Sequence, residues 1–594
     1  MKHLDTHIFS KVVLGMLVLL AGVRLSHAQL TVSLETSLPS GQPAGTEVLL
    51  AASVANSGNG QLAYQFTVRP VGGAWRVLRD LSYLPVVEWV TLDEGSYELR
   101  VIAVLTAIGE IAEAVVPFEI TPRVGVFPAV VATSHPLVAL YSAPPCAMGN
   151  LWVRFRPVGG LLWQTTPAKP CQGKSLNFYV AGMRGNTTYQ LQQEHLVGSR
   201  IMRGSLLNFR TNVPTVAFED ISITDPPDAN TSLTNDVVLL AYVRGVERPV
   251  ATDLMGNIIW YYPSGGATLL RPLPGGTMLL QVRDIYDGQI LREVDLGGNI
   301  VRETNAFRVS TQLQAMGKNP INSFHHDAIR LPNGHTVVIG SVERILTDVQ
   351  GLGDVNVYGE MIMDLDENFQ VTWVWNAFDH LDTSRLAILG EVCTSQGPGC
   401  PPLFLAPTAN DWLHANSLDY VPTDGSLLMS MRHQDWVIKI DFQHGTGSGN
   451  VIWRLGQDGD FQIISADPWP WFSHQHDAEI ESDGRLVLYD NGNTRVEGPN
   501  GIGGNSRGQV LRLNETARTA TLVHNSDLGD YSFALGSAQR LANGNYAFTS
   551  GFLGERSNPS CESIEVLPNG QKNFVLHSTG AMYRSFRIRD LYRP

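Results

Sequence analysis

Three histidine clusters are the residues of this chain best suited to chemistry. They read Phe-His-His-Asp at 324–327, His-Ala-Asn-Ser at 414–417 and His-Gln-His-Asp at 474–477. Each stands just ahead of an Asn-Gly or Asp-Gly turn, and an apolar run follows. If the clusters occupy equivalent positions of a structural repeat, the fold brings them together, and we expect one site rather than three.

Together with a nearby arginine, these side chains suit transfer of an oxyanion group. A histidine oriented by a hydrogen-bond acceptor offers a neutral, nucleophilic nitrogen at pH 7, and a second histidine can carry the proton. Arg432 and Asn416 supply fixed donors for oxygens that carry negative charge. The sequence shows no glycine-rich phosphate loop at a helix start, so a nucleotide donor is not indicated.

The elements that must position these clusters recur from residue 214 to the end. One hairpin pattern occurs six times, as at Asp253–Trp260. It consists of a strand that ends in a polar residue, a turn, and a second strand that often carries Trp. A second hairpin, with a turn such as Asn333-Gly334, falls between the copies. Two hairpins in a period of roughly 50 to 70 residues are typical of four-stranded propeller blades. The pattern predicts an all-β fold with a six-bladed β-propeller.

Alignment on the turns makes the clusters comparable. His326 and His476 each stand seven residues before the first turn residue of their repeat. Asn416 takes the same place when one inserted residue is allowed, and His414 then matches His474. Residues two apart in a strand share a face, so we expect His414 with Asn416, and His474 with His476, to face the same central channel.

Each of these residues also has a structural interpretation. Asp327 and Asp477 follow the aligned histidines and are expected to bind ring nitrogens as structural partners. For Arg432 the alternative is a salt bridge with Asp435 or another carboxylate.

The clusters and their surroundings resemble the bacterial aryl-sulfate sulfotransferases. The resemblance rests on the histidine clusters together with Asp411-Trp-Leu-His-Ala-Asn-Ser417, Ser430-Met-Arg432 and Asp490-Asn-Gly492, and it covers about residues 230–594. It implies a six-bladed propeller with a small β domain before it, in an exported enzyme that does not use the nucleotide sulfate donor. It also implies transfer of a sulfuryl group from a phenolic sulfate ester to a phenol through a sulfated histidine.

The same resemblance implies roles for individual residues. His476 would be the nucleophile that forms the sulfohistidine. His326 and His414 would bind the sulfuryl oxygens and handle the phenol proton, and Asn416 and Arg432 would bind the same oxygens. The implied partners are a small phenolic sulfate donor and a phenolic acceptor, with neither a cofactor nor a metal ion.

The residues ahead of the propeller are predicted to form a signal peptide and small β domains. Residues 1–28 combine Lys2 and Lys11 with an apolar run and small residues before Ala28, which indicates an exported protein, periplasmic or secreted. Residues 29–122 alternate apolar and polar residues between turns, as in a β-sandwich of the immunoglobulin or fibronectin type. Residues 123–213 predict a second such module, and residues 214–594 the propeller.

The cysteines agree with an oxidising compartment. Cys146 and Cys171, and Cys393 and Cys400, are close enough in sequence to form local disulfides, which leaves Cys561 over.

The charge and the length of the chain limit the classes of function that the protein can have. With 594 residues and 43% hydrophobic content, the chain can form more than one domain. Its net charge of −14, without a block of basic residues, does not indicate binding to nucleic acid or to an anionic membrane. No segment after the N-terminal run is long and apolar enough for stable membrane insertion.

Two other functions compete with sulfuryl transfer. Three histidines with carboxylates could ligate a divalent ion in a metal-dependent propeller hydrolase or lyase. The chain could also be a secreted binding or adhesion protein without catalysis. The oligomeric state stays open, a homodimer included.

Overall fold

The computed structural model describes residues 29–58, 60–284, 288–397 and 399–594. The predicted signal peptide, residues 1–28, lies outside the described residues. Within them the secondary structure is overwhelmingly β, which confirms the all-β prediction.

The first N-terminal strands form a pair of facing sheets. Strands β1 to β8 are Thr31–Thr36, Gln42–Pro43, Val48–Ala55, Leu62–Pro70, Arg76–Ser82, Val86–Trp89, Gly95–Leu105 and Glu110–Thr121. One sheet contains β1, β3 and β6, and the other has the order β2, β8, β7, β4, β5. Every second residue of β7 is buried, so the strand presents an apolar face to the shared core. We call residues 31–121 the first module.

The next strands repeat this arrangement. Strands β9 to β17 are Ala129–Ala132, Ala139–Ala143, Asn150–Pro157, Gln164–Thr165, Lys169–Pro170, Leu176–Val180, Thr188–Val197, Arg200–Arg203 and Leu207–Arg210. β9, β10 and β14 form one sheet, and the remaining strands form the other around β11 and β15. The core between these sheets includes the disulfide-bonded Cys146 and Cys171.

The larger part of the chain begins at residue 221. Strands β18 to β31 are Ile221–Asp225, Val237–Arg244, Val250–Asp253, Ile258–Tyr261, Ala267–Leu273, Thr277–Asp284, Gly288–Asp295, Ile300–Asn305, Ser323–Arg330, Thr336–Thr347, Asp354–Leu365, Val371–Asn376, Val392–Thr394 and Thr408–Asp411. Strands β32 to β45 are Ala415–Val421, Ser426–Met431, Trp436–Ile440, Val451–Gly456, Gln462–Ile464, His476–Ile480, Arg485–Asp490, Arg507–Asn514, Thr519–Asp527, Gly536–Arg540, Tyr546–Leu553, Ser560–Val566, Lys572–Thr579 and Ala581–Ile588.

Short helices interrupt these strands. The α-helices α1 to α3 are Ala306–Ala315, Ala377–His380 and Asn493–Val496, and 3-10 turns span Arg432–Gln434 and Gln443–Gly445. The side chain of Asn305 accepts a hydrogen bond from the Arg308 backbone and thereby caps the N-terminus of α1.

The described strands after residue 220 pair into six antiparallel units of four strands. The units are β45-β19-β20-β21, β22 to β25, β26 to β29, β32 to β35, β37 to β40 and β41 to β44. The first strand of one unit contacts that of the next, from β22 through β26, β32, β37 and β41 to β45. β19, the neighbour of β45, contacts β22, so the succession closes on itself.

The two ends of this region are joined by strand pairing. The last strand, β45, completes the unit of β19 to β21, and β18 pairs with β44 at the edge of the final unit. Apolar side chains fill the space between adjacent units, and Trp260 and Trp453 are completely buried, as expected for core residues.

The first module is continuous with this region. Its strand β5 pairs in parallel with β25 where Arg79 faces Glu303, which links the two sheets.

Candidate active site

Four of the predicted residues line one large cavity. His326, His414, Arg432 and His476 reach it from three successive four-stranded units. The cavity has a volume of about 1600 Å³. Residues up to 150 positions apart in the sequence thus share one chamber, with Arg432 among the histidines.

β-Bulges interrupt the first strands of three units at or directly after these histidines. The strand register shifts between Phe324 and Ala328 in β26, between Ala415 and Ser417 in β32, and between His476 and Glu479 in β37. A bulge leaves residues unpaired and re-aims their side chains. His326 and His414 also adopt left-handed backbone conformations, with φ of 53° and 50°.

His326, His414 and Asp411 form a hydrogen-bonded chain. Oδ2 of Asp411 lies 2.7 Å from Nδ1 of His414, and Nε2 of His414 lies 3.0 Å from Nε2 of His326. The carboxylate holds the proton of His414 on Nδ1, so Nε2 of His414 accepts the hydrogen bond that Nε2–H of His326 donates. The chain therefore has a defined direction for moving a proton.

His476 is oriented by an amide. Its Nδ1 lies 2.7 Å from Oδ1 of Asn491. The side-chain Nδ2 of Asn491 donates to the backbone oxygens of Ser532 and Leu535, at 2.8 and 3.0 Å. These two bonds fix Oδ1 toward His476, so Nδ1 of His476 must be the donor. The lone pair of the neutral ring is then on Nε2.

Burial keeps the cavity histidines uncharged. It lowers the pKa of His476 well below the usual value, and the nearby guanidinium of Arg432 lowers it further. Burial likewise lowers the pKa of His326 well below the usual value, with added effects of His325 and His414. The pKa of His414 falls to about 4 by burial, although Asp411 opposes the shift. All three rings are neutral at pH 7.

Arg432 is held in place by neighbouring residues. Its Nη1 contacts Nε2 of His433 at 2.5 Å, and its Nη2 donates to the backbone oxygen of Phe533 at 3.1 Å. These contacts, rather than a salt bridge with Asp435, orient the guanidinium at the cavity. Burial lowers the pKa of Arg432 from 12.5.

Asn416 is placed differently from the other predicted residues. It is completely buried, its Nδ2 donates to the backbone oxygen of Gln475 at 2.7 Å, and it does not line the cavity. The expectation that His414 and Asn416 share a face is wrong, because the bulge at Asn416 breaks the two-residue alternation.

His474 does not line the cavity beside His476, contrary to the expectation that the two residues face the same channel. It is fully buried outside the cavity lining, with Nδ1 2.9 Å from Asp435 and Nε2 2.5 Å from Glu391. Burial alone would lower the pKa of His474, but Asp435 and Glu391 raise it. Burial would raise the pKa of Glu391, yet His474 and His433 lower it to about 2. This ion pair holds the start of the segment before Asp411.

Asp327 and Asp477 bind guanidinium groups, which corrects the expectation that they bind ring nitrogens. Oδ2 of Asp327 lies 2.8 Å from Nη2 of Arg271 and 2.9 Å from Nη2 of Arg584. Asp477 lies within 3.6 Å of both arginines. Arg584 comes from β45, Arg271 from β22, Asp327 from β26 and Asp477 from β37, so the cluster ties together strands of four different units.

Comparison with known proteins assigns the family. The sequence profile of the arylsulfotransferase (ASST) family matches residues 224–586, more than half of the chain. The protein belongs to the arylsulfotransferase family. The resemblance of the sequence to this family is thereby confirmed.

A curated relative agrees with the assignment. The arylsulfate sulfotransferase AssT of Escherichia coli O6:H1 is 26% identical over an alignment that covers 29% of this chain and 34% of the relative. The chain thus matches about a third of the length of that relative.

Among solved structures, similarity is weak. FN1–FN3 domains of chicken CNTN1 show 12% identity over 31% of this chain and 68% of that chain, with a TM-score of 0.14. A two-domain fibronectin type III segment of chicken tenascin shows 14% identity over 30% of this chain and 95% of that chain, also at 0.14.

Sequence reasoning missed three residues of this candidate site. Asn491 and Glu391 are described above. Tyr583 of β45 lines the cavity and stacks on His326, with ring centroids 5.4 Å apart, while its hydroxyl donates to the backbone oxygen of Asn416. Asn491 lies within Asp490-Asn-Gly492, one of the motifs that carry the family resemblance, whereas Tyr583 lies in β45, whose sequence Ala-Met-Tyr-Arg-Ser-Phe-Arg-Ile matches none of them.

The arrangement of hydrogen bonds does not favour a cation in this family member. His325, His326 and His414 could place ligand atoms within 4.8 Å of one another, as could Asp411, His414 and His433. However, the guanidinium of Arg432 already contacts Nε2 of His433, and His326 donates to His414. A positive charge beside these atoms opposes binding of a second one.

The two predicted disulfides are present. Cys146 bonds Cys171 and Cys393 bonds Cys400, while Cys561 is a buried free thiol. Cys400 lines the cavity, so the second disulfide shapes its wall. In the described part of the chain, none of the helices has the length and apolar character that a membrane crossing requires.

Proposed function

We propose that this protein transfers a sulfuryl group from a phenolic sulfate to a phenolic acceptor through a sulfohistidine at His476. The observation that carries the proposal is the bond from Nδ1 of His476 to Oδ1 of Asn491, which leaves the lone pair on Nε2. A buried, neutral imidazole in this tautomer is a nucleophile that needs no prior deprotonation.

The reaction has two displacement steps. Nε2 of His476 attacks the sulfur of the aryl sulfate, the N–S bond forms, and the S–O bond to the ring breaks with its electron pair on the departing phenolate. The acceptor phenol then attacks the same sulfur, the N–S bond breaks, and its electron pair returns to Nε2. The departing phenolate gains one proton and the acceptor loses one, so protons balance over the cycle.

Asn491 suits the intermediate as well as the nucleophile. An amide oxygen accepts a hydrogen bond from Nδ1 but is not basic enough to remove the proton. The sulfated ring therefore keeps its positive charge, and the neutral imidazole stays a good leaving group in the second step. A carboxylate at this position would stabilise the charged ring and slow its breakdown.

The remaining cavity residues serve charge and proton transfer. Arg432 supplies donors to the sulfuryl oxygens, whose charge must be held while the sulfur changes partner. The chain from His326 through His414 to Asp411 takes the phenol proton and returns it. Asn416 fits a positioning role better than contact with sulfuryl oxygens, because it holds the backbone of Gln475 beside His476.

For the architecture we propose a six-bladed β-propeller, residues 214–594, behind two sandwich modules, residues 29–122 and 123–213. The support is the closed succession of four-stranded units and the pair of sheets in each N-terminal segment. In such a propeller the inner strands surround one axis, which explains why histidines from three of the units meet.

We also propose that the protein is exported. Two disulfides, at Cys146–Cys171 and Cys393–Cys400, are stable in an oxidising compartment such as the periplasm or the cell exterior.

Mass spectrometry after incubation with a chromogenic phenyl sulfate tests the mechanism. Without acceptor, the wild-type protein should gain one SO3 group located on His476 and release one equivalent of phenol. His476→Ala should gain none. His444→Ala should behave as wild type, because His444 is hydrogen-bonded to Tyr420 at an exposed position. A modification elsewhere, transfer by His476→Ala, or loss of activity with a chelator would overturn the proposal.

A further inference from the structure

We propose that the first module forms part of the substrate cavity and, together with α1, selects phenols that carry a second ring. This inference rests on the proposed function and names the substrate class of the same site. The two residues that carry it are Tyr83 of the first module and Phe307 of α1, which we call the outer aromatic pair.

The outer aromatic pair belongs to the cavity that holds the histidines. Tyr83 lies in the short connection between β5 and β6, and Phe307 lies in the first turn of α1. Both line the same cavity as His476, and their ring centroids are 5.4 Å apart. Phe307 is 44% exposed, a large fraction for a phenylalanine. Two adjacent rings with apolar surface open to the cavity can stack on a further ring.

Buried polar contacts fix the first module in this position. Arg79 pairs with Glu303, which also binds Arg292 at 2.5 Å, and both Arg79 and Glu303 are buried. The side chain of Asn305, the cap of α1, donates to the backbone oxygen of Leu81 at 2.7 Å. The connection that carries Tyr83 is thus anchored to the same residues that begin α1, so the outer aromatic pair is preorganised.

The cavity is much larger than one phenol requires. Pockets for drug-sized ligands measure roughly 300–1,000 Å³, whereas this cavity measures about 1600 Å³. Its lining includes further phenylalanines besides the outer aromatic pair, at Phe324, Phe404, Phe533 and Phe552. A single ring bonded to the sulfuryl group at His476 leaves much of this apolar surface uncovered. A phenol with a second, linked ring can cover more of it.

Tyr83 also lies outside the part of the chain that matches the family, residues 224–586. The first module therefore contributes an aromatic side chain to the cavity from outside the region that matches the arylsulfotransferase family. Substrate choice in this protein then depends on a docked module as well as on the propeller loops.

Acceptor competition tests the inference. Tyr83→Ala and Phe307→Ala should each lower kcat/KM for a two-ring phenol by about tenfold, mainly through KM, and leave the value for phenol within about twofold. Tyr83→Phe keeps the ring and should resemble wild type. Trp75→Ala is the matched control, because Trp75 belongs to the same module but stacks between Arg69 and Arg100 and does not line the cavity.

A binding measurement separates this inference from the proposed chemistry. Calorimetry with the unsulfated two-ring phenol requires no transfer, so it reports the outer aromatic pair even if His476 is never sulfated. The wild type should bind the two-ring phenol more tightly than phenol, and Tyr83→Ala should lose that preference. Equal losses for both phenols, or unchanged affinity and kcat/KM in both alanine variants, would overturn the inference.

Discussion

Replacement of Asn491 by alanine tests how the nucleophile is prepared. The change removes the acceptor for Nδ1–H of His476, so nothing selects the tautomer whose lone pair is on Nε2. We expect the rate constant for sulfation to fall, while the sulfated residue stays His476.

The size of the expected decrease in the sulfation rate follows from the 2.7 Å hydrogen bond between His476 and Asn491 in this fully buried site. A neutral hydrogen bond contributes about 1 kcal/mol, and one to a charged group about 1.5–3 kcal/mol. As the N–S bond forms, the ring becomes positive and the bond to Asn491 gains the difference, about 1 kcal/mol. Loss of the selected tautomer adds a similar amount. About 2 kcal/mol in total corresponds to a roughly 30-fold slower sulfation step.

The assay is a single turnover without acceptor. Rapid mixing with a chromogenic phenyl sulfate gives one equivalent of phenol, and the rate of this burst measures sulfation directly. Asn493→Ala is the matched control. Asn493 is also buried in the segment after β38 and donates to the backbone oxygen of Phe533 at 2.9 Å, but it does not contact His476.

Two results would refute this reasoning. Burst rates for Asn491→Ala within about threefold of wild type would mean that the amide does not set the tautomer. An equal decrease of the burst rate in Asn493→Ala would mean that both substitutions act by destabilising the segment around residues 532–535. A structure-only effect should also lower the thermal midpoint of both variants by the same amount.

Two further predictions concern charge. The burst rate should show no acid limb near pH 6.5, because burial lowers the pKa of His476 well below 6.5 and keeps the proposed nucleophile unprotonated. It should fall toward pH 4, because burial lowers the pKa of His414 to about 4 and protonation of its Nε2 removes the acceptor for His326. An acid limb near 6.5 in the pH profile would contradict this. Asp327→Asn should lower the free energy of unfolding in urea by about 3 kcal/mol, since it leaves Arg271 and Arg584 short of a buried partner. Asp379→Asn, at the exposed pair with Arg344, should cost under about 1 kcal/mol, and equal effects of the two substitutions would be inconsistent with the buried cluster.

The succession of hairpins in the larger region could be predicted from the sequence because turn chemistry is local. Asn333-Gly334 and Asp483-Gly484 form turns in which Gly334 and Gly484 have positive φ, at 89° and 79°, as such turns need. The pairing of β45 with β19, and of β5 with β25, could not be predicted. These pairs join residues that are hundreds of positions apart, and nothing local in either strand selects the partner.

For the site, residue types were predictable and partners were not. The clusters at His326, His414 and His476 indicated one site because they align on the turns of the repeats, and these three side chains line one cavity. Asp327 was assigned to a neighbouring ring because that ring was adjacent in sequence. The structure instead gives it Arg584, which lies 257 residues away, and an arginine outweighs a neutral histidine as partner for a buried carboxylate.

The bulges explain why the two-residue alternation of a strand did not predict which side chains face the cavity. In β32 the pairing passes from Ala415–Met431 to Ser417–Ser430, so one residue is extra, and in β26 it passes from Phe324–Gly340 to Ala328–Val338, so two are extra. Left-handed, non-glycine conformations such as those of His326 and His414 cost about 1 kcal/mol or more each. His326 lies within the bulge of β26, and His414 and His476 each stand directly before one, so irregular backbone accompanies all three histidines of the site.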